Sequence, residues 1–128
     1  MKEELITFET AKLAKEKGFD WEVNSFYRGA DHELILDMAY LPVERRQNSK
    51  FVDSTSIAAP THALLQKWLR EVHNIDIDIL KTRKHLSALE VIHSYCSYVG
   101  LREESTADEK TYELALEKGL IEALKLIE

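Results

Sequence analysis

The hydrophobic rhythm of the chain changes at Asn74. Before it, Thr61, Leu64, Leu65, Trp68, Leu69 and Val72 recur at the spacing of one helical face. At about 100° per residue they fall within an arc of about 140°, with Gln66, Lys67, Arg70 and Glu71 opposite. After it, Ile75-Asp76-Ile77-Asp78-Ile79 alternates with period two. Three isoleucines then share one face of a strand and two aspartates the other. A chain that must bury a helical stripe beside a half-buried strand is α+β. The aspartate face stays wet, which an antiparallel sheet tolerates and a parallel sheet rarely does. Pro60 suits the first position of this helix, and Trp68, Leu65, Leu69 and Ile77 are the expected core.

The other elements follow from their own signals. A helix over about 7–17 has Thr7 as N-cap and Glu9 at the positive end of its dipole. Gly18 stands where a left-handed terminator belongs, with Phe19 behind it to fold back on Leu13 or Ala14. Trp21, Val23 and Phe26-Tyr27 suggest a strand, Arg28-Gly29-Ala30-Asp31 a turn, and Glu33 to Leu41 a second strand stopped by Pro42, with a helical turn as the alternative for this last run. Ile35 and Leu36 side by side fit a strand buried on both faces. Residues 43–58 read as a long polar connection. Lys81 to His85 reads as a charged connection. Residues 89–99 read as a strand, with a helix opening on the capping-box pair Ser87 and Glu90 as the alternative. Residues 102–110 read as a loop. The strongest element is the helix over about 111–127, whose repeat runs from Tyr112 to Ile127 and whose interior Gly119 implies a close neighbour. The predicted fold is one α+β domain spanning 1–128. It has a small, mainly antiparallel sheet and about three helices, in the order α-β-β-α-β-β-α.

Composition narrows the function. The 128 residues carry 17 Lys and Arg against 23 Asp and Glu, a net charge of −6. That balance argues against a nucleic-acid coat, though it leaves room for a local basic patch. Cys96 is the sole cysteine, so neither an intrachain disulfide nor a multi-cysteine zinc site is available. No stretch has the length and apolarity of a membrane span, and the start has no signal core. A reduced, cytoplasmic setting is the expectation.

No catalytic signature emerges. His73, Asp76 and Asp78 match no standard ligand spacing, and the aspartates alternate because the isoleucines do. Asp31-His32-Glu33 lies at a turn, where Asp is common for its own reasons. His93 and Cys96 would fall on opposite faces of a strand but on one face of a helix. Ser87, Ser94 and Ser97 lie in no nucleophile-elbow context, and four glycines build no phosphate-binding loop. Glu103-Glu104 and Asp108-Glu109 are carboxylate pairs in a polar loop, where nothing raises a pKa for acid catalysis. The expected metal, cofactor and catalytic sets are empty, and no small-molecule ligand is implied.

Two basic clusters stand out: Arg45, Arg46 and Lys50, then Lys81, Arg83 and Lys84. Ordinary solubilising charge explains them, and so would contacts to a phosphate backbone aided by tyrosines. Residues 60–100 carry five Lys and Arg against four Asp and Glu, whereas 101–128 carry four against eight. Leu114 and Ile121, seven apart on the last helix, lie opposite its main stripe and form the minimum of a helix–helix seam. They are expected to meet a second subunit, another protein, or Leu5 and Ile6 of the same chain.

Three blocks carry a resemblance. They are Ala11 to Phe19 (A-K-L-A-K-E-K-G-F), then Ala59-Pro60-Thr61 with Leu64 to Glu71 (L-L-Q-K-W-L-R-E) and the Ile75–Ile79 strand, and finally Tyr112-Glu113 with Ala115 to Glu117 and Gly119 to Ile127. The chain thereby resembles a family of small uncharacterised proteins of phages and prophages of gut Bacteroides-type bacteria. Where family members show Y-E-E-A-L, this chain has Leu114 at the third place. The family's own role is unassigned, so the resemblance implies an architecture and a phage-like setting but no activity. The expected function is a non-enzymatic accessory or protein-interaction module, with weak nucleic-acid binding through 45–50 and 81–85 as the alternative.

Overall fold

Thr7 and Gly18 bound the first helix as their chemistry dictates. In the computed structural model, α1 runs Phe8–Glu16 and the Thr7 hydroxyl accepts from the Thr10 amide. Gly18 takes φ +94°, the Phe19 amide donates to the Ala14 carbonyl at 2.9 Å, and the Gly18 amide to Lys15 at 3.1 Å. That is a Schellman end, with Phe19 buried behind it. The structure describes residues 5–36, 46–51, 55–85, 91–100 and 109–127, with 82–85, 91–94 and 96 as backbone alone. Contacts divide the chain into two compact units, one from the first 68 residues and one from 69–127.

In the first unit, β1 (Phe26–Tyr27) and β2 (Leu34–Ile35) form the expected hairpin, in register Phe26 to Ile35. Trp21 and Val23 lie outside the strand. The described residues of the 43–58 connection include regular structure. They hold a 3-10 turn, Asn48–Lys50, and a strand, β3 (Ile57–Ala58), which pairs antiparallel with β1. The sheet order is β2-β1-β3. Ile35 is half-buried and Leu36 is exposed, so the pair is not enclosed on both faces. Residues 37–45, including Arg45, lie outside the described ones.

The second helix, α2, runs His62–His73. Its cap is Thr61, whose hydroxyl accepts from the Leu64 amide at 3.1 Å. Pro60 therefore sits before the helix, fully buried, its carbonyl accepting from the Ile6 amide. A capping hydroxyl outcompetes proline for this end because it satisfies an orphan amide. Leu65, Trp68 and Leu69 are buried as expected; Val72, in the last turn, is exposed. Asn74 closes the helix at φ +55°.

In the second unit, β4 (Ile77–His85) and β5 (Val91–Val99) form an antiparallel hairpin in register Ile77 to Val99 through His85 to Val91. The expected connection at 81–85 is thus strand, and the strand reading of 89–99 holds over Val91–Val99. The capping-box pair Ser87 and Glu90 falls outside the described residues. Glu109, expected in a loop, exchanges backbone hydrogen bonds with Tyr95 on the outer edge of β5. The last helix, α3 (Tyr112–Lys125), is capped by Thr111 and packs on both strands. A Cβ at Gly119 would lie 2.9 Å from both Ile77 Cγ2 and Ser97 Oγ, which explains the glycine inferred from the helical pattern. The predicted order α-β-β-α-β-β-α stands, with β3 added and the antiparallel pairing divided between two small sheets. Among the described residues no helix is long and apolar enough to cross a membrane.

Candidate interaction surface

The β4–β5 hairpin sorts its residues by parity. Ile77, Ser97 and Val99 are buried on the side that receives α3. On the other face, Asp76 and Asp78 are exposed, Tyr98 is half-buried, and Leu80 is 48% exposed. The isoleucine-in, aspartate-out pattern of 75–79 is therefore realised, and Leu80 continues the aspartate face as an apolar residue left in water.

The backbone groups of β4 divide between its two edges. Antiparallel partners alternate between hydrogen-bonded and non-bonded pairs. The Gly100 amide donates to Asp76, and Tyr95 spends both backbone groups on Glu109. This phase turns the backbone groups of Ile79 and Lys81 away from β5. Among the described residues, the two small sheets share no strand, and β5 is the strand that pairs with β4.

The predicted basic residues divide between the units. Arg46 and Lys50 belong to the first unit; Arg46 donates to Asn24 Oδ1 at 3.3 Å and its carbonyl accepts from Val23. Lys50 is exposed. Lys81, Arg83 and Lys84 lie within four residues of β4, opposite Tyr95, His93 and Ile92. The Lys81 ammonium lies 5.8 Å from the centroid of the Tyr95 ring. The ladder positions 81–85 and 91–95 hold no Asp or Glu, so the basic cluster evident in the sequence lies on a strand rather than on a connection. Leu80 was also missed, because a single leucine after an alternating run carries no signal of its own.

The helical pair is unequal: Leu114 is exposed and Ile121 half-covered. Lys118 beside them forms an ion pair with Glu109. His93 and Cys96 lie an odd number of residues apart on β5. His32 stacks on Phe8 with ring centroids 4.1 Å apart, while Asp31 and Glu33 both receive Arg28. The Arg28 Nε donates to Asp31 Oδ1 at 3.0 Å and its Nη2 to Oδ2 at 2.7 Å. Beside that guanidinium, and with the Glu33 amide donating to it, the Asp31 carboxyl is held down to about 2. Among the described residues no group of three or more His, Cys, Asp or Glu converges as a metal site. The first unit carries an open cleft of about 350 Å³ between the 22–25 segment and the start of α2, with Glu22 and Lys67 as its charged lining.

Comparison with known protein families, curated proteins and solved structures returned no match.

Proposed function

We propose that the chain is a non-enzymatic, phage-type accessory module that acts by binding protein through its β4–β5 hairpin. The reading rests on one observation: α3 packs on one face of the hairpin, while Leu80 on the other face is 48% exposed beside Ile79 and Lys81, whose backbone groups face away from β5. Main-chain groups on a strand edge supply affinity to an added strand, and the neighbouring side chains supply selectivity. The three sequence blocks shared with the phage family support the accessory setting. The lone Cys96 suits a reduced, cytoplasmic one.

A photo-crosslinking residue at Leu80, compared with one at exposed Glu113, tests the reading in a lysate of the source organism. A discrete protein adduct specific to position 80 is expected. An adduct pattern identical at the two positions would refute it. A nuclease-sensitive adduct would favour the second reading, in which the acid-free ribbon of Lys81, Arg83 and Lys84 contacts phosphate. That reading has its own signature, since phosphate contacts weaken steeply with salt. Titration of a labelled oligonucleotide at about 50 and 200 mM salt is expected to show no binding at either. Salt-sensitive binding that disappears on Lys81→Ala/Arg83→Ala/Lys84→Ala would displace the protein reading.

A further inference from the structure

We infer that the cleft of the first unit binds a small zwitterion with an apolar body, an amino acid or a dipeptide whose ammonium meets Glu22 and whose carboxylate meets Lys67. The inference does not rest on the hairpin reading. The cleft has a volume of about 350 Å³, at the lower end of the range that small-molecule sites occupy. Its apolar lining includes Leu5, Val23, Ala59, Pro60 and Leu64, of which Val23, Ala59 and Pro60 are buried. Backbone hydrogen bonds hold that lining in place. The Ile6 amide donates to the Pro60 carbonyl, the Ala59 amide to Ser25 and the Val23 amide to Arg46. The site is therefore formed before a ligand arrives, and little ordering opposes binding.

The charges on the cleft select the ligand. Glu22 lies on the 22–25 segment and Lys67 on α2, and both are exposed. Among the described residues neither has an ion-pair or hydrogen-bond partner, so the two do not close on each other. A ligand that carries both charges satisfies both groups at once. An anion alone would meet Glu22 uncompensated, and a cation alone would meet Lys67, so single charges are disfavoured. Ala63 lines the cleft in the first turn of α2, where the positive end of the helix dipole adds to Lys67 and favours the carboxylate. The ammonium end has its own support. A second cleft of about 400 Å³ shares Glu22 and Leu64 with the first and adds Asp20 and Trp21. Asp20 is engaged by the Ser49 amide at 2.7 Å, which leaves Glu22 as the carboxylate with free acceptors. A carboxylate beside an indole is a favourable setting for an ammonium group.

An amide NMR titration of the isotope-labelled full chain tests the site with L-leucine and with L-leucyl-L-leucine. Saturable shifts at Val23, Asn24, Ala63 and Leu64 are expected with at least one of them. Leucine as the tighter probe identifies an amino-acid ligand, and the dipeptide as the tighter one a peptide ligand. Isocaproate lacks the ammonium of leucine and leucinamide lacks its carboxylate, so each is expected to bind about tenfold or more weakly than leucine or the dipeptide. Glu22→Gln and Lys67→Gln are expected to weaken the better probe by a similar factor. Both residues are exposed, so the variants keep the fold, as their unperturbed spectra elsewhere would verify. Absence of saturable shifts with both probes at millimolar concentration overturns the inference. So does equal binding of isocaproate or leucinamide, or affinity that survives unchanged in the two variants.

Discussion

Trp68 meets the ring of Phe19 edge-on, with centroids 5.3 Å apart, and is 3% exposed. Phe19 reaches that position because Gly18 turns the chain back at the end of α1, so one positive-φ glycine sets an aromatic contact in the core. Trp68→Ala is expected to cost about 3–5 kcal/mol, read from urea unfolding; a loss below about 1 kcal/mol would contradict core placement. The turn between β1 and β2 has a different sensitivity. Asp31 is lowered to about 2 chiefly by the hydrogen bond from Arg28. Its contribution is therefore complete above the unfolded value of about 3.9 and fades as pH falls through the folded one. A carbon-detected NMR titration should place the Asp31 midpoint near 2, and Arg28→Ala should return it toward about 3.9. A wild-type midpoint already near 4 would mean that the ion pair does not form in solution.

Among the elements, helices were readable because their ends are chemical. Thr7, Gly18 and Thr111 cap or terminate where their side chains and φ angles require. Pro60 points to a start two residues too early, because Thr61 next to it offers a capping hydroxyl and the helix begins at His62. The far half of β4 was not readable for a physical reason. Hydrophobic alternation reports a strand with one dry face, and α3 covers the hairpin where Ile77, Ser97 and Val99 lie; Lys81 beyond them is exposed. Lys81-Thr82-Arg83-Lys84-His85 is polar throughout and has no alternation to show, so it looks like a loop. β3 failed for want of length, since two residues display no period. Gly119 was legible as a close approach, and its test belongs to the α3–hairpin contact. Gly119→Ala gains about 1 kcal/mol of helix propensity but drives a methyl onto Ile77 and Ser97, at about 1–3 kcal/mol for overpacking. Net destabilisation is expected in a denaturant melt; a more stable variant would show that α3 can lift away without cost.

For the whole molecule, a net charge of −6 opposes association in general, so any self-contact has to be locally complementary. Two surfaces compete for that role. On α3, Leu114 is 49% exposed, but Ile121 is already half-covered within the chain. That leaves one open leucine between lysines rather than a seam, and single exposed apolar residues are ordinary. The β4–β5 hairpin instead joins an exposed leucine, Leu80, to acidic and basic residues along one strand. The two surfaces lie on different elements, so substitutions on α3 test one without the other. Light scattering on Leu114→Glu/Ile121→Lys is expected to match wild type across a concentration series, because a lone open leucine makes no seam. If the double variant dissociates where wild type associates, assembly runs through α3.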